Sequence, residues 1–256
     1  MSRLQNLFER KKERVLNVYC TAGYPELNST LTVMQALQEH GADLIELGMP
    51  YSDPLADGPV IQASGAQALA EGMSIPVLFD QLQDFRTKIE VPVVLMGYLN
   101  PVLQYGFEKF CANAAALGVD GLIIPDLPMF EFEQEYGAII KKYGLDFIFL
   151  ITPETTDERI KKLDELSSGF IYAVSSSSLT GSNQDFGAVD GYLANLQQMK
   201  LKNPILVGFG IKDKHTFDAA CARTQGAIIG SAYIQALANT AHIAETTKKF
   251  LSGVLE

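Results

Sequence analysis

The stretch Val91–Asp126, VPVVLMGYLNPVLQYGFEKFCANAAALGVDGLIIPD, decides the fold. It opens on a short aliphatic run (VPVVLM), passes through a segment of helical period (GFEKFCANAAALG) and closes on a second aliphatic run (DGLIIPD). Two runs that are apolar on both faces and joined by a helix are the mark of parallel neighbours in a helix-covered sheet, because a parallel connection needs a crossover. Working outward, the pattern recurs in VLNVYC, ADLIELG, LDFIFLI, GFIYAVS, PILVGFG and GAIIGSA, which brings the runs to eight. Between them lie further helix-like segments, STLTVMQALQEH, MSIPVLFDQLQDFRTKI and DERIKKLDELSS, with glycine or polar stops at their ends. Eight units of about 30 residues match the roughly 250 residues of a closed (β/α)8 barrel. An open doubly wound sheet permits the same alternation, but VYCTAGYP, after the first run, carries no GxGxxG turn. The expectation is therefore an α/β chain forming a (β/α)8 TIM barrel, a single domain over residues 1–256 with a short N-terminal helix. Its least regular segment, SSSSLTGSNQDFGAVDG (175–191), falls in the sixth strand-to-helix loop.

Composition narrows the function classes. The chain has 256 residues, 47% hydrophobic and 20% charged, enough for a sizeable core. A net charge of -10 argues against nucleic-acid and anionic-membrane partners, which need basic patches. Any anionic ligand must be held by local donors. Three scattered cysteines, Cys20, Cys111 and Cys221, with no CxxC pair, favour neither disulfides nor zinc and fit a reducing cytoplasm. No apolar run reaches the roughly 18 residues of a spanning helix, and MSRLQNLFERKKER lacks the apolar centre of a signal peptide.

One acid interrupts an otherwise apolar strand. Glu46 lies two residues before the end of DLIELG, and alternation puts Leu44 and Glu46 on one side, Ile45 and Leu47 on the other. An inward Glu46 opens into the top of the barrel, where active sites of this fold form. Apolar walls raise the pKa of such a carboxyl, which can then donate and retrieve a proton near neutrality. The loop that follows, PYSDPLADGP, holds Asp53 and Asp57 among prolines and a glycine, a composition of tight turns that can aim a side chain or merely cap the next helix.

The seventh and eighth runs end in GFG (208–210) and GSA (230–232). Glycines there let backbone N–H groups approach an anion, and a short helix beginning at Ser231 adds its positive end, a recurrent phosphate site in this fold. The histidines carry no such signal. His40 precedes a glycine at a helix end, and His215 and His242 sit in helical segments away from strand ends. Neither a metal-ligand cluster nor a nucleophile–base pair can be read from the spacing, which leaves acid–base work by carboxylates. On residues alone, a sugar-phosphate isomerase or epimerase and a non-catalytic barrel partner stay open beside a lyase.

ADLIELGMPYSDPLADGPVIQ, together with CTAGYP, SSLTG, VGFGI and IIGSA, resembles the tryptophan synthase alpha subunit family over nearly the full chain. The resemblance implies a barrel that cleaves indole-3-glycerol phosphate to indole and glyceraldehyde 3-phosphate, a retro-aldol lyase step in tryptophan biosynthesis. It also implies Glu46 and Asp57 as the catalytic pair and Tyr172 as the residue orienting the acid. Tyr19, Tyr98, Asn100 and Thr180 correspond to substrate contacts, and Gly181, Gly210, Gly230 and Ser231 to phosphate donors. The family partner is a beta subunit in an alpha2beta2 heterotetramer, and pyridoxal phosphate is expected there and no cofactor in this chain. GMPYSDP and LNPVLQYG would then be docking loops, with Asp53 at the partner contact. One departure is Ser176, where many relatives carry an arginine.

Overall fold

The computed structural model describes residues 2–174, 186–208, 210–238 and 240–256. Every aliphatic run becomes a strand: β1 (Val15–Thr21), β2 (Leu44–Gly48), β3 (Val93–Met96), β4 (Gly121–Ile123), β5 (Asp146–Phe147), β6 (Leu150–Ile151), β7 (Ile171–Val174), β8 (Ile205–Gly208) and β9 (Gly226–Ile229). All pairings are parallel, in the order β5-β4-β3-β2-β1-β9-β8-β7-β6. The two ends of that order, β5 and β6, are separated in the chain only by Ile148 and Phe149. The row of strands therefore closes on itself, and the eight expected positions form a (β/α)8 barrel.

The run LDFIFLI, read from sequence as one strand, is divided because its backbone serves its two neighbours in turn. Ile148 N–H donates to Leu122 of β4 at 3.0 Å, whereas Phe149 accepts from Tyr172 N–H of β7 at 3.0 Å. The Phe147 and Phe149 N–H groups are diverted to the hydroxyls of Ser168 and Ser167, at 3.0 and 3.3 Å. Outside the division, Phe147 and Phe149 pack their rings on Phe132 with centroids 4.7 and 4.9 Å away.

The helical layer comprises α1 (Arg3–Arg10), α2 (Thr30–Glu39), α3 (Pro59–Ala70), α4 (Ile75–Gln81), α5 (Leu99–Tyr105), α6 (Phe107–Leu117), α7 (Met129–Glu131), α8 (Gly137–Lys142), α9 (Asp157–Leu166), α10 (Phe186–Met199), α11 (Lys214–Cys221), α12 (Ser231–Leu237) and α13 (Ile243–Leu255). Local chemistry sets several of the ends. Ser2 and Gln5 cap α1 reciprocally, as do Asp213 and Thr216 for α11, and Thr156 accepts from Arg159 N–H at the start of α9. Gly118 ends α6 with φ 92°, a left-handed conformation that glycine enters without a Cβ clash. MSIPVLFDQLQDFRTKI, expected as one helix, breaks after α4 because Asp84 turns left-handed (φ 57°) before a short turn at Phe85–Thr87.

The N-terminal helix positions the site indirectly, by sealing the far end of the barrel. Leu4 of α1 is fully buried, Ser2 Oγ donates to Asp146 Oδ2 at 2.7 Å, and Arg3 pairs with Asp120 at 3.1 Å. The strand C-termini lie at the opposite, open end. Among the described residues no helix is long and apolar enough to cross a membrane.

Candidate active site

The register of the first two strands brings the site together. Tyr19 of β1 is the partner of Glu46 on β2, and Glu46 is in turn the partner of Val94 on β3. Across the barrel, Tyr172 of β7 lies between Leu150 and Leu206. Both tyrosine rings need a strand-end glycine beside them. A Cβ on Gly48 would fall 2.0 Å from the Tyr19 hydroxyl, and one on Gly208 would fall 2.5 Å from the Tyr172 ring. Gly208, read from sequence as part of an anion-binding GFG, thus makes room for Tyr172.

Tyr19, Glu46, Asp57, Tyr172, Gly210, Gly230 and Ser231 line one cavity of about 260 Å³. Seven residues scattered from β1 to α12 in the chain are thereby gathered at the open end. The rest of the lining is mainly apolar, with Ile61, Met96 and Ile228 among it, and Lys212 and Gln235 also border the cavity. A flat aromatic group suits the apolar part, and glycine N–H groups with a hydroxyl suit an anion at the other.

Glu46 is 1% exposed. Burial pushes its carboxyl up to about 8, the nearby Asp57 charge adds to the rise, and the Asn17 amide opposes it by donating to Oε2 at 2.8 Å. Asp57 is raised less, to about 6, by burial, with a hydrogen bond from Tyr98 opposing the rise. At neutral pH the first carboxyl is therefore mostly protonated and the second mostly ionised, so two like groups take separate roles. The Tyr19 and Tyr172 phenols are held well above their ordinary range by burial first and by the neighbouring carboxylates second, so both remain O–H donors.

The loop that carries Asp57 is pinned. Ala56 N–H donates to the Tyr98 hydroxyl at 3.0 Å, Asp57 N–H to Pro54 O at 3.1 Å, and Gln62 Nε2 to Asp57 O at 2.8 Å. Tyr98 does not line the cavity; it stands behind Asp57, stacked on Tyr51 at 5.4 Å. Asn100 lies further out, exposed, donating to the Tyr51 hydroxyl at 3.2 Å. Asp53 is exposed and accepts from Ser52. Thr180, Gly181 and Ser176 lie outside the described residues.

His40 caps the end of α2, His242 precedes α13 and His215 sits in α11, and none borders the cavity. Among the described residues there is no cluster of histidine, cysteine and acid side chains that could hold a metal ion. A larger open groove of about 800 Å³ lies at the sealed end, bordered by Gln5, Phe8, Lys200 and Arg223. Its carboxyls, Glu9 and Glu13, stand exposed on its edge.

Asn17 and Met96 escaped the sequence reading. A signal existed for each: Asn17 is the lone amide in VLNVYC, as Glu46 is the lone acid in DLIELG, and Met96 closes a strand at the functional end.

The family model of the tryptophan synthase alpha chain matches residues 4–254. A tryptophan synthase alpha chain from Parabacteroides distasonis is 51% identical over 255 residues, covering 99% of this chain and 99% of the relative. The crystal structure of the tryptophan synthase alpha chain from Legionella pneumophila subsp. pneumophila superposes with a TM-score of 0.90 at 32% identity, covering 99% of this chain and 96% of that one. An aminoacrylate-bound structure of tryptophan synthase from M. tuberculosis gives 0.86 at 32% identity, covering 99% and 100%.

Proposed function

Because the chain belongs to the tryptophan synthase alpha chain family, we propose that Glu46 and Asp57 carry out the family's reaction as a divided pair of carboxyls. That reaction is the cleavage of indole-3-glycerol phosphate to indole and glyceraldehyde 3-phosphate, and the chain is a carbon–carbon lyase. Membership leaves no place for the isomerase, epimerase or non-catalytic readings that the residues alone kept open.

Protonated Glu46 gives its proton to indole C3, which turns the ring into an indolenine whose bond to the side chain can break. The emptied carboxylate then takes the proton of the glycerol hydroxyl as that carbon becomes an aldehyde, so Glu46 ends as it began. Ionised Asp57 accepts a hydrogen bond from the indole N–H, which grows more acidic as positive charge develops on the ring. The stabilisation is largest where the charge is largest. Tyr172 bears on Glu46 from across the barrel, Tyr19 faces the ring, and Gly210, Gly230 and Ser231 hold the phosphate through backbone and hydroxyl donors. Thr180 and Gly181 complete the substrate contacts in this reading, and Tyr98 and Asn100 act from behind, through Asp57 and Tyr51. Backbone and hydroxyl donors, with Lys212 on the same cavity, reconcile an anionic substrate with an acidic chain.

Indole passes to a beta subunit, where pyridoxal phosphate supplies the chemistry that joins it to serine. The docking face is the open end. Leu55 is 89% exposed beside Asp53 in the loop after β2, and Leu103 is exposed on α5 in the loop after β3. Large apolar side chains left in water on one rim fit burial by a partner.

The observation that carries the assignment is one cavity faced by two carboxyls, one held near 8 and the other near 6. The test is direct, because the chain has no tryptophan and indole fluoresces above a tyrosine background. Incubation with indole-3-glycerol phosphate must release indole, faster with a beta subunit present. Glu46→Gln must bind the ester and fail to cleave it; undiminished turnover in the bound fraction would remove Glu46 from the mechanism.

A further inference from the structure

The proton carrier has a neighbour that the mechanism above does not use. Asn17 is 0% exposed in the middle of β1, two residues before Tyr19, and its Nδ2 donates to Glu46 Oε2 at 2.8 Å. Its other end is bare. Asn17 Oδ1 is buried with no protein partner among the described residues. A side chain kept only to fill space here would be better served by leucine, which has the same shape and no polar atom to strand. Burying an amide that can satisfy only one end makes sense if that end has work to do at Glu46.

Glu46 borders the cavity and Asn17 does not, so the amide meets the carboxyl from the closed side of the barrel. We propose that Asn17 is a positioning residue for Glu46: by occupying Oε2 it fixes the plane of the carboxyl and leaves Oε1 as the oxygen that carries the proton to and from substrate. The inference rests on the reading that Glu46 moves the proton. In a neutral carboxyl the carbonyl oxygen is the better acceptor, so an N–H held on Oε2 puts the acidic hydrogen on Oε1. Once that proton has moved to the indole carbon, the same N–H faces a carboxylate and its bond becomes charge-assisted. The contact thus strengthens as the reaction proceeds, and that favours the transition state over the ground state.

The groups facing Glu46 are few. Tyr19 comes from β1, Asp57 from the loop after β2 and Tyr172 from β7, while β3 contributes apolar Val94 and Met96; Cys20, in register with Leu47, is turned to the other side of β1. Asp57 alone among them adds a charge, which raises Glu46, and Asn17 is the donor that opposes the rise. Removing the donor must move the midpoint of Glu46 upward.

The experiment uses the full chain with Asn17→Leu, reading the Glu46 carboxyl by 13C NMR, the steady-state rate of indole release against pH, and the melting temperature. The expected result is an upward midpoint, a kcat lowered about tenfold or more, a KM within about twofold of the parent because Asn17 does not touch the cavity, and a cooperative melting transition that shows the fold is kept. If Asn17→Leu does not fold, Asn17→Ser, whose hydroxyl is too short to reach Oε2, must give the same midpoint shift. An unmoved midpoint and rate would reduce Asn17 to packing and overturn the proposal. A lowered midpoint with a higher rate would overturn it too, because the amide would then be holding the Glu46 proton away from substrate. A loss confined to KM would make Asn17 a shaper of the pocket and sink the positioning role. Glu46→Gln, run in parallel, separates the two levels: if it still cleaves, the reading of Glu46 has failed whatever Asn17 does.

Discussion

The two ends of the barrel bury carboxylates in opposite ways. At the sealed end Asp120 receives Arg3, Arg86 and the Val93 N–H, and Asp164 receives the backbone N–H groups of Lys202 and Asn203 together with the Asn203 amide. At the open end, among the described residues, Glu46 receives a single amide, from Asn17, and Asp57 has the Tyr98 hydroxyl. A buried acid with several donors or a paired cation is an anchor that ties elements together. A desolvated acid with few donors that faces a cavity is a candidate for chemistry. Donor number separates Asp120 and Asp164 from the pair at the open end, whereas Asp146, which accepts from the Ser2 hydroxyl, belongs to the framework by its place at the sealed end.

Asp57→Asn and Asp120→Asn make the same chemical change at the two ends and should fail differently. At Asp57 the indole N–H loses its charged acceptor, and kcat should fall about a hundredfold or more while the melting temperature holds. At Asp120 the Arg86 and Arg3 guanidinium groups lose their counter-charge. Unfolding free energy should drop by about 3 kcal/mol in a denaturant titration, with turnover per folded molecule unchanged. Equal losses of rate and stability at both positions would dissolve the contrast.

The acid held near 8 also leaves a signature in stability. An unfolded Glu46 releases its proton near 4.5, whereas the folded one keeps it to about 8. Between these values the folded state binds more protons, so raising the pH weakens the fold. Glu46→Gln does not titrate. Its melting temperature should therefore gain on the parent's steadily from pH 4.5 to 8 and level off above; a gap that is the same at pH 5 and pH 9 would place the carboxyl in water. The rate sharpens the same point. Cleavage by the isolated chain should rise as Asp57 ionises near 6 and fall as Glu46 empties near 8, a bell between the two.

The smallest effect is expected at Asp53, which is exposed on the rim proposed to dock the beta subunit. Asp53→Asn should leave cleavage by the isolated chain within about twofold and weaken only its acceleration by a beta subunit. Loss of the basal rate would mean that the two aspartates of the loop have been assigned in reverse.

Much of this was readable from residues, and the exceptions are instructive. The apolar runs betrayed the strands because a parallel strand is buried on both faces, and Glu46 stood out because an acid is costly in such a run. By the same logic Asn17 is visible in VLNVYC, but an amide is a weaker anomaly in an apolar run than a charge. LDFIFLI gave no hint of its division, since the hydroxyls of Ser167 and Ser168 that draw off its N–H groups come from the turn after α9. Gly208 carried an ambiguous signal: a glycine that frees a backbone for an anion and one that makes room for a ring look alike until the ring is placed. Tyr98 was expected beside the indole pocket and stands behind Asp57, because its hydroxyl is taken by the loop after β2.

Taken by itself, the sequence determined the alternation of strands and helices, the closed barrel it implies, and the identity of the inward acid, because periodicity and burial are local properties that residues carry with them. Only the tertiary structure decided which oxygen of Glu46 meets Asn17, that Tyr19 and Tyr172 converge on one hollow, and that burial raises two carboxyls eleven positions apart to different extents. Those depend on solvent exclusion and on donors from other strands, and such neighbours exist only once the ring has closed.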